Sequence, residues 1–380
     1  RDLLNHRDAP TSTYRLQLRR EFPFDAAEAI VPYLNDLGIS HLYASPILQA
    51  RPGSPHGYDV CDHDRINPEL GGEEGMARLA STLRQHGLGL ILDVVPNHMA
   101  VGHNSNRWWA DVLEHGASSR YAETFDIDWD PVNPSLSHQV LLPVLGEQYG
   151  QELEAGRLRV VQEEGSFWLT YYEHRFPLAP QTYPLILSLK VPWLVDRLGE
   201  DHDHVCEYRS ILTALSHLPP RLGLTPEKQA DRDREVGIIK RRIGSLTAEC
   251  PEVKQAIEAA VAEVNGTPAR PESFDLLDRL ISLQSYRPAF WRVATDEINY
   301  RRFFDINDLA AIRPENPRVF DATHRVFLDL LARGVAQGVR IDHPDGLWNP
   351  TGYFRRLQIA YVAARIQRLE NPPPQRPGVT

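Results

Sequence analysis

Thr13-Tyr14-Arg15-Leu16-Gln17-Leu18 alternates apolar and polar residues with period two, the pattern of a half-buried strand. From Phe24 to Leu37 the period changes. Ala27, Ile30, Val31, Leu34 and Leu37 follow helical spacing, and Gly38 stands where a C-terminal cap belongs. His41-Leu42-Tyr43-Ala44 reads as a short strand ending at Ser45-Pro46, and the Pro- and Gly-rich stretch 51–72 reads as a long loop. Glu73 to His86 predicts a helix stopped by Gly87. The continuous apolar run Leu88-Gly89-Leu90-Ile91-Leu92-Asp93-Val94-Val95 suits a strand buried in a parallel sheet. Strands alternating with helices imply right-handed βαβ units.

After His98 the alternation stops. Residues 149–176 read as hairpins, with Arg157–Val161 and Phe167–Tyr172 separated by Glu163-Glu164-Gly165. Residues 183–298 are mostly helical in pattern and punctuated by prolines. The alternation then resumes with an amphipathic helix over 319–333, a strand reached through Gly334–Ile341, and a helix over 350–369 stopped by Asn371-Pro372-Pro373-Pro374. The expected division is 1–98 for three strands and two helices, 99–318 for a large insertion, and 319–380 for a third helix, a fourth strand and a fourth helix.

Four βα units make half of an eight-stranded barrel. The expected fold class is therefore α/β, the N-terminal half of a (β/α)₈ TIM barrel with a mixed β/helical subdomain inserted after the third strand. Four parallel strands would leave two edges exposed where a closed barrel leaves none, so an end at Thr380 reads as truncation. An open four-stranded α/β domain is the alternative.

Composition narrows the class without deciding it. At 42% hydrophobic and 24% charged residues the chain suits a globular protein, and the net charge of −10 argues against binding nucleic acid. No apolar run is long enough for a membrane helix, and no signal peptide opens the chain. Cys61, Cys206 and Cys250 form no regular spacing, which suits a reducing, cytoplasmic compartment rather than a disulfide framework.

Two segments place polar groups at the C-terminal end of an apolar strand, where barrels build their chemistry: Asp93-Val94-Val95-Pro96-Asn97-His98, and Arg340-Ile341-Asp342-His343 in the stretch 338–346. The two-residue pleat puts Arg340 and Asp342 on one face. A carboxylate beside an arginine can attack a sugar carbon of oxocarbenium character. Such a pair can equally be a satisfied buried ion pair, and Asn-His a loop cap.

Both segments, with Gly57-Tyr58-Asp59, resemble signature regions of the α-amylase family of glycoside hydrolases (family 13). The long stretch between Asp93 and Asp342 exceeds that of a common amylase. Tyr14–Gln17, Ser54–Asp59, Arg65–Gly72, Asn106–Trp109, Phe125–Trp129 and Asn299–Asp305 resemble a glucan-rearranging branch of the family that acts in trehalose biosynthesis.

By that resemblance Asp342 is the catalytic nucleophile and Arg340 the group that holds it ionised. Tyr58 stacks on the sugar, with Asp59 as its supporting neighbour. Asp93, Asn97 and His98 serve the sugar attacked, and His343 the acceptor side. Tyr300 and Arg301, with Trp108, Trp109 and Phe303, would form a lid that excludes water; ordinary core packing is the alternative for the aromatics. The implied reaction is isomerase chemistry: the reducing-end α-1,4 linkage of a maltodextrin becomes an α,α-1,1 linkage by intramolecular transglycosylation through a glycosyl-enzyme. The implied partners are maltooligosaccharides, with a trehalose-releasing hydrolase in the same pathway. No cofactor and no metal is implied. The family's general acid and third carboxylate would lie beyond Thr380, so the chain alone should be nearly inactive. The alternatives are an α-1,4-glucan hydrolase, a 4-α-glucanotransferase, or an inactive glucan-binding fragment. Two further patterns read as structural: Asp201-His202-Asp203-His204 with Cys206 as a helix start rather than a metal tract, and the run Arg232, Arg234, Lys240, Arg241, Arg242 as a solvated helix face.

Overall fold

A computed structural model describes residues 9–102, 105–221 and 223–370; the predicted stop at 371–374 lies outside them. Of the described residues, those in 9–101 and 302–370 form one compact unit and those in 102–301 another. This is a tighter division than 99–318, because His98–Ala100, Arg302–Phe303 and Ile306–Ala311 build one three-stranded antiparallel sheet of the first unit.

The first unit is organised by a parallel sheet. Strands β1 (Thr13–Leu16), β2 (His41–Ala44), β5 (Gly89–Val94) and the later strand Gly338–Ile341 lie side by side in chain order. Leu42, Leu90, Leu92 and Val94 are buried, and they share a core with Phe24, Leu79 of helix α3 (Gly72–Gln85) and Leu330 of the helix Pro317–Ala332. The single helix expected over 24–37 is two, α1 (Phe24–Ala29) and α2 (Val31–Asp36), broken at Ile30. Pro32 has no N–H to donate and its ring crowds the carbonyl four residues back. The expected loop 51–72 contains strand β4 (Val60–Ile66), antiparallel to β3 (Leu48–Ala50), so only its first part is irregular.

In the second unit, Arg159–Glu163, Ser166–Tyr171 and His174–Pro177 form an antiparallel meander, whereas Tyr149–Glu154, expected in a hairpin, is helical. Glu164 and Gly165 both take positive φ, as a tight hairpin turn requires. Val140–Leu145 pairs in parallel with Tyr286–Phe290, and most of the remainder is helix. Arg232 corrects the reading of a solvated basic face. It is fully buried, donating to the carbonyl of Pro219 at 3.1 Å and to Gln181 Oε1 at 2.9 Å.

Candidate active site

The parallel register sets Arg340 opposite Asp93 and Ile341 opposite Val94, and the Asp342 N–H extends the ladder by donating to the Val94 carbonyl at 2.9 Å. Arg340 and Asp342 therefore emerge on the face of Asp93, which stands one residue before the end of β5. One guanidinium nitrogen, Arg340 Nη1, donates to Asp93 Oδ1 at 3.0 Å and to Asp342 Oδ1 at 2.5 Å. Partial burial opposes the charge on Arg340, but its hydrogen bonds to Asp93 and Asp342 outweigh that and raise its pKa. Asp93 is wholly buried and Asp342 nearly so. A carboxylate out of water needs such donors.

The other Asp93 oxygen, Oδ2, accepts from Tyr58 Oη at 2.6 Å and from Tyr43 Oη at 2.7 Å. Burial, reinforced by these bonds to Asp93, raises the pKa of both phenols and keeps them as donors. Arg15 Nη2 donates to Tyr58 Oη at 3.1 Å, and its guanidinium carbon lies 5.6 Å from the centre of the Tyr43 ring. Sequence reasoning gave neither Tyr43 nor Arg15 a role in the site. The signal was there: in β2 the side chains of Leu42 and Ala44 are buried, and Tyr43, opposite Ile91, shares the face of Asp93.

Tyr58 is presented by a tight turn. Asp59 Oδ1 accepts a short hydrogen bond from Ser54 Oγ, which itself accepts from the Gly57 N–H at 3.0 Å, and Arg51 Nε stands 3.5 Å from Asp59 Oδ2. Gly57 takes φ +79°, and a Cβ there would stand 2.8 Å from the Pro46 carbonyl oxygen, so no other residue fits.

His98, on strand β6 (His98–Ala100), is buried and stacked on Phe303 with ring centres 4.0 Å apart. Burial lowers its pKa to about 4, a polar contact with the Tyr58 backbone offsetting this only in part. Phe303 also meets His343 edge-on at 4.9 Å, and Phe304, exposed and at φ +52°, does so at 5.6 Å. His343 itself adopts φ +41°, which turns the chain sharply after Asp342. Asn97 is buried; its carbonyl accepts from the Ile312 N–H at 2.9 Å, and its side chain packs so closely on Gly346 that a Cβ there would stand 2.6 Å from Nδ2.

The other expected site residues lie in the second unit. Trp108 and Trp109 are not exposed as a lid requires: each is 4% exposed in the helix Arg107–His115. Trp108 stacks on Tyr121, while Trp109 packs edge-on against Phe125 and Tyr300. Tyr300 is buried, and Arg301 Nε donates to Asp126 Oδ2 at 2.8 Å. Both line a cavity of about 710 Å³ that also holds Asp128, Asn133 and Glu297. His202 Nδ1 accepts from the His204 N–H at 3.2 Å, capping the helix Asp203–Ser216.

Residues 29–144 match the catalytic domain of alpha amylases. Within that class, the chain is 34% identical over 354 residues to a protein described as a putative maltooligosyl trehalose synthase of Mycobacterium tuberculosis, across 91% of this chain and 32% of that one. The solved structure of maltooligosyltrehalose synthase from Arthrobacter ramosus matches with a TM-score of 0.61 and 35% identity, over 93% of this chain and 34% of that one. Intracellular maltogenic amylase of Bacillus subtilis is 31% identical over 185 residues, covering 43% of this chain and 31% of the relative. The chain thus resembles the maltooligosyl trehalose synthases of the α-amylase family along nearly all its length, with the TIM-barrel-like α/β fold the family implies. It spans about a third of the length of these relatives.

Proposed function

We propose that this chain is the nucleophile-bearing part of an enzyme that isomerises the reducing end of maltodextrins to an α,α-1,1-linked terminus. The observation that carries this reading is Arg340 Nη1 bridging Asp93 and Asp342 at strand ends in register. Asp342 attacks C1 of the penultimate glucose, and the C1–O bond to the reducing-end glucose breaks as a general acid protonates the leaving oxygen. The released sugar turns, and its own anomeric hydroxyl attacks the glycosyl-enzyme as its proton returns to the conjugate base of that acid, breaking the bond to Asp342 and restoring the carboxylate. Two displacements at one carbon retain configuration. Tyr58 serves as the stacking platform, His98 as a neutral hydrogen-bonding group, and the Phe303, Phe304 and His343 rings as an apolar wall that keeps water from the glycosyl-enzyme.

The parallel order of β1, β2, β5 and Gly338–Ile341, together with a separate compact unit between β6 and Arg302, supports a half (β/α)₈ barrel with an insertion after its third strand. The general acid, ~5–5.5 Å from the nucleophile in retaining enzymes, is assigned to the remainder of a protein as long as the relatives. A cytoplasmic setting and a trehalose-releasing hydrolase as pathway partner complete the reading. No helix among the described residues is long and apolar enough to cross a membrane.

The test is maltopentaose incubated with the full-length protein. Reducing ends should fall without release of glucose, and Asp342→Asn should lower the rate on the order of 10⁴-fold. A rise in reducing ends would favour the hydrolase reading, which the likeness to a maltogenic amylase supports. An undiminished rate in Asp342→Asn would overturn the nucleophile assignment.

A further inference from the structure

We infer that Tyr43 is a positioning residue for the reaction, setting the aim of Asp342 through Asp93 and Arg340. The inference rests on the proposed role of Asp342 and deepens it. Five side chains are joined across the parallel sheet: Tyr43, Asp93, Arg340 and Asp342 in sequence, with Tyr58 beside Tyr43 on the same Asp93 oxygen. A lone arginine nitrogen serving two carboxylates is aimed by whichever carboxylate is held more rigidly. Asp93 is the rigid one, because it is wholly buried and its two oxygens receive three hydrogen bonds. Of its two phenol donors, Tyr58 lies in an irregular turn and is proposed to meet substrate. Tyr43 lies in β2, the strand paired in register with β5, so its hydroxyl is fixed by the sheet itself. Arg15, opposite Tyr43 in β1, lies near its ring and ties Tyr58 to the same cluster.

A group that sets the direction of nucleophilic attack without touching the sugar changes kcat and leaves KM alone. In the full-length protein, Tyr43→Phe keeps the ring and removes only the donor. With maltopentaose, kcat should fall about tenfold, the size expected for one hydrogen bond to a charged group, while KM stays within about twofold. The same fall should appear with α-maltosyl fluoride, whose leaving group needs no acid, which places the defect at the attacking carboxylate. Thermal melting and the fraction of folded protein would be measured alongside. An unchanged kcat, or a fall matched by loss of folded protein or confined to maltopentaose, would overturn the inference. Asp342→Asn run in parallel separates the two failures: if it stays active, the proposed function fails; if it is inactive while Tyr43→Phe is normal, only the positioning role fails.

Discussion

At the scale of single residues, the site is a problem in burying charge. Asp93 has no exposure at all, and the cation that hydrogen-bonds it is Arg340, itself partly exposed. Removing one partner of a buried pair leaves the other charge uncompensated, at ~3–5 kcal/mol. Two phenols remain on Asp93 in this case, and Arg340 is screened by water, so Arg340→Met should cost about 2 kcal/mol. Urea unfolding of the variant beside the parent would measure it; a stability within about 0.3 kcal/mol of the parent would show that the phenols alone satisfy Asp93. Arg340 and Asp342 were legible in the sequence because strand period and residue chemistry pointed the same way. Tyr43 was not, because a tyrosine in a short apolar strand looks like ordinary packing until the register of β2 against β5 shows what its hydroxyl meets. The Trp108-Trp109 pair failed in the opposite sense. The adjacent tryptophans were read as part of a water-excluding lid, yet both are buried against Tyr121, Phe125 and Tyr300, the core packing given as the alternative.

At the scale of elements, the parallel strands could be read from alternation or from a continuous apolar run, and the helices Gly72–Gln85 and Pro317–Ala332 from their amphipathic pattern. The β3–β4 hairpin could not. Val60–Ile66 interposes Asp62, His63, Asp64 and Arg65 among its apolar residues, yet most of the strand is buried, so tertiary burial rather than composition makes it a strand. Its neighbour, the turn 54–59, is as demanding as the sheet. Gly57→Ala places a Cβ against the Pro46 carbonyl in a left-handed backbone, and about 1–3 kcal/mol of strain is expected. Because Tyr58 and Asp59 follow directly, that strain should loosen the platform before it unfolds the sheet. The expected result is a severalfold rise in KM for maltopentaose at a temperature where the variant remains folded. A variant with parental KM and a lower melting temperature would show that the turn is rigid for stability alone.

At the scale of the whole molecule, two compact units each bury their own apolar side chains, and the first also buries His63, His98 and His324. These rings are nearly inaccessible, and burial lowers their pKa values to about 3, 4 and 4 respectively. His324 is held on both ring nitrogens: Nε2 lies 2.7 Å from Tyr353 Oη, and Nδ1 lies 2.9 Å from the Phe320 carbonyl oxygen. The folded state therefore keeps these rings neutral, whereas the unfolded chain protonates them near pH ~6.5. Below that pH the unfolded state binds more protons, so stability falls as pH falls. The histidine contribution is fully present above about pH 6.5 and is lost progressively down to the folded pKa values, by at most ~1.4 kcal/mol per histidine for each pH unit. Urea midpoints measured at about pH 7.5, 6.0 and 5.0 should fall across both intervals, by the larger step across the second. Glu207, whose carboxyl the Arg242 guanidinium holds below the usual range, loses its contribution only at lower pH, so a drop between about 6.0 and 5.0 points to the histidines. A midpoint unchanged from pH 7.5 to 5.0 would mean that water reaches these rings in the folded protein.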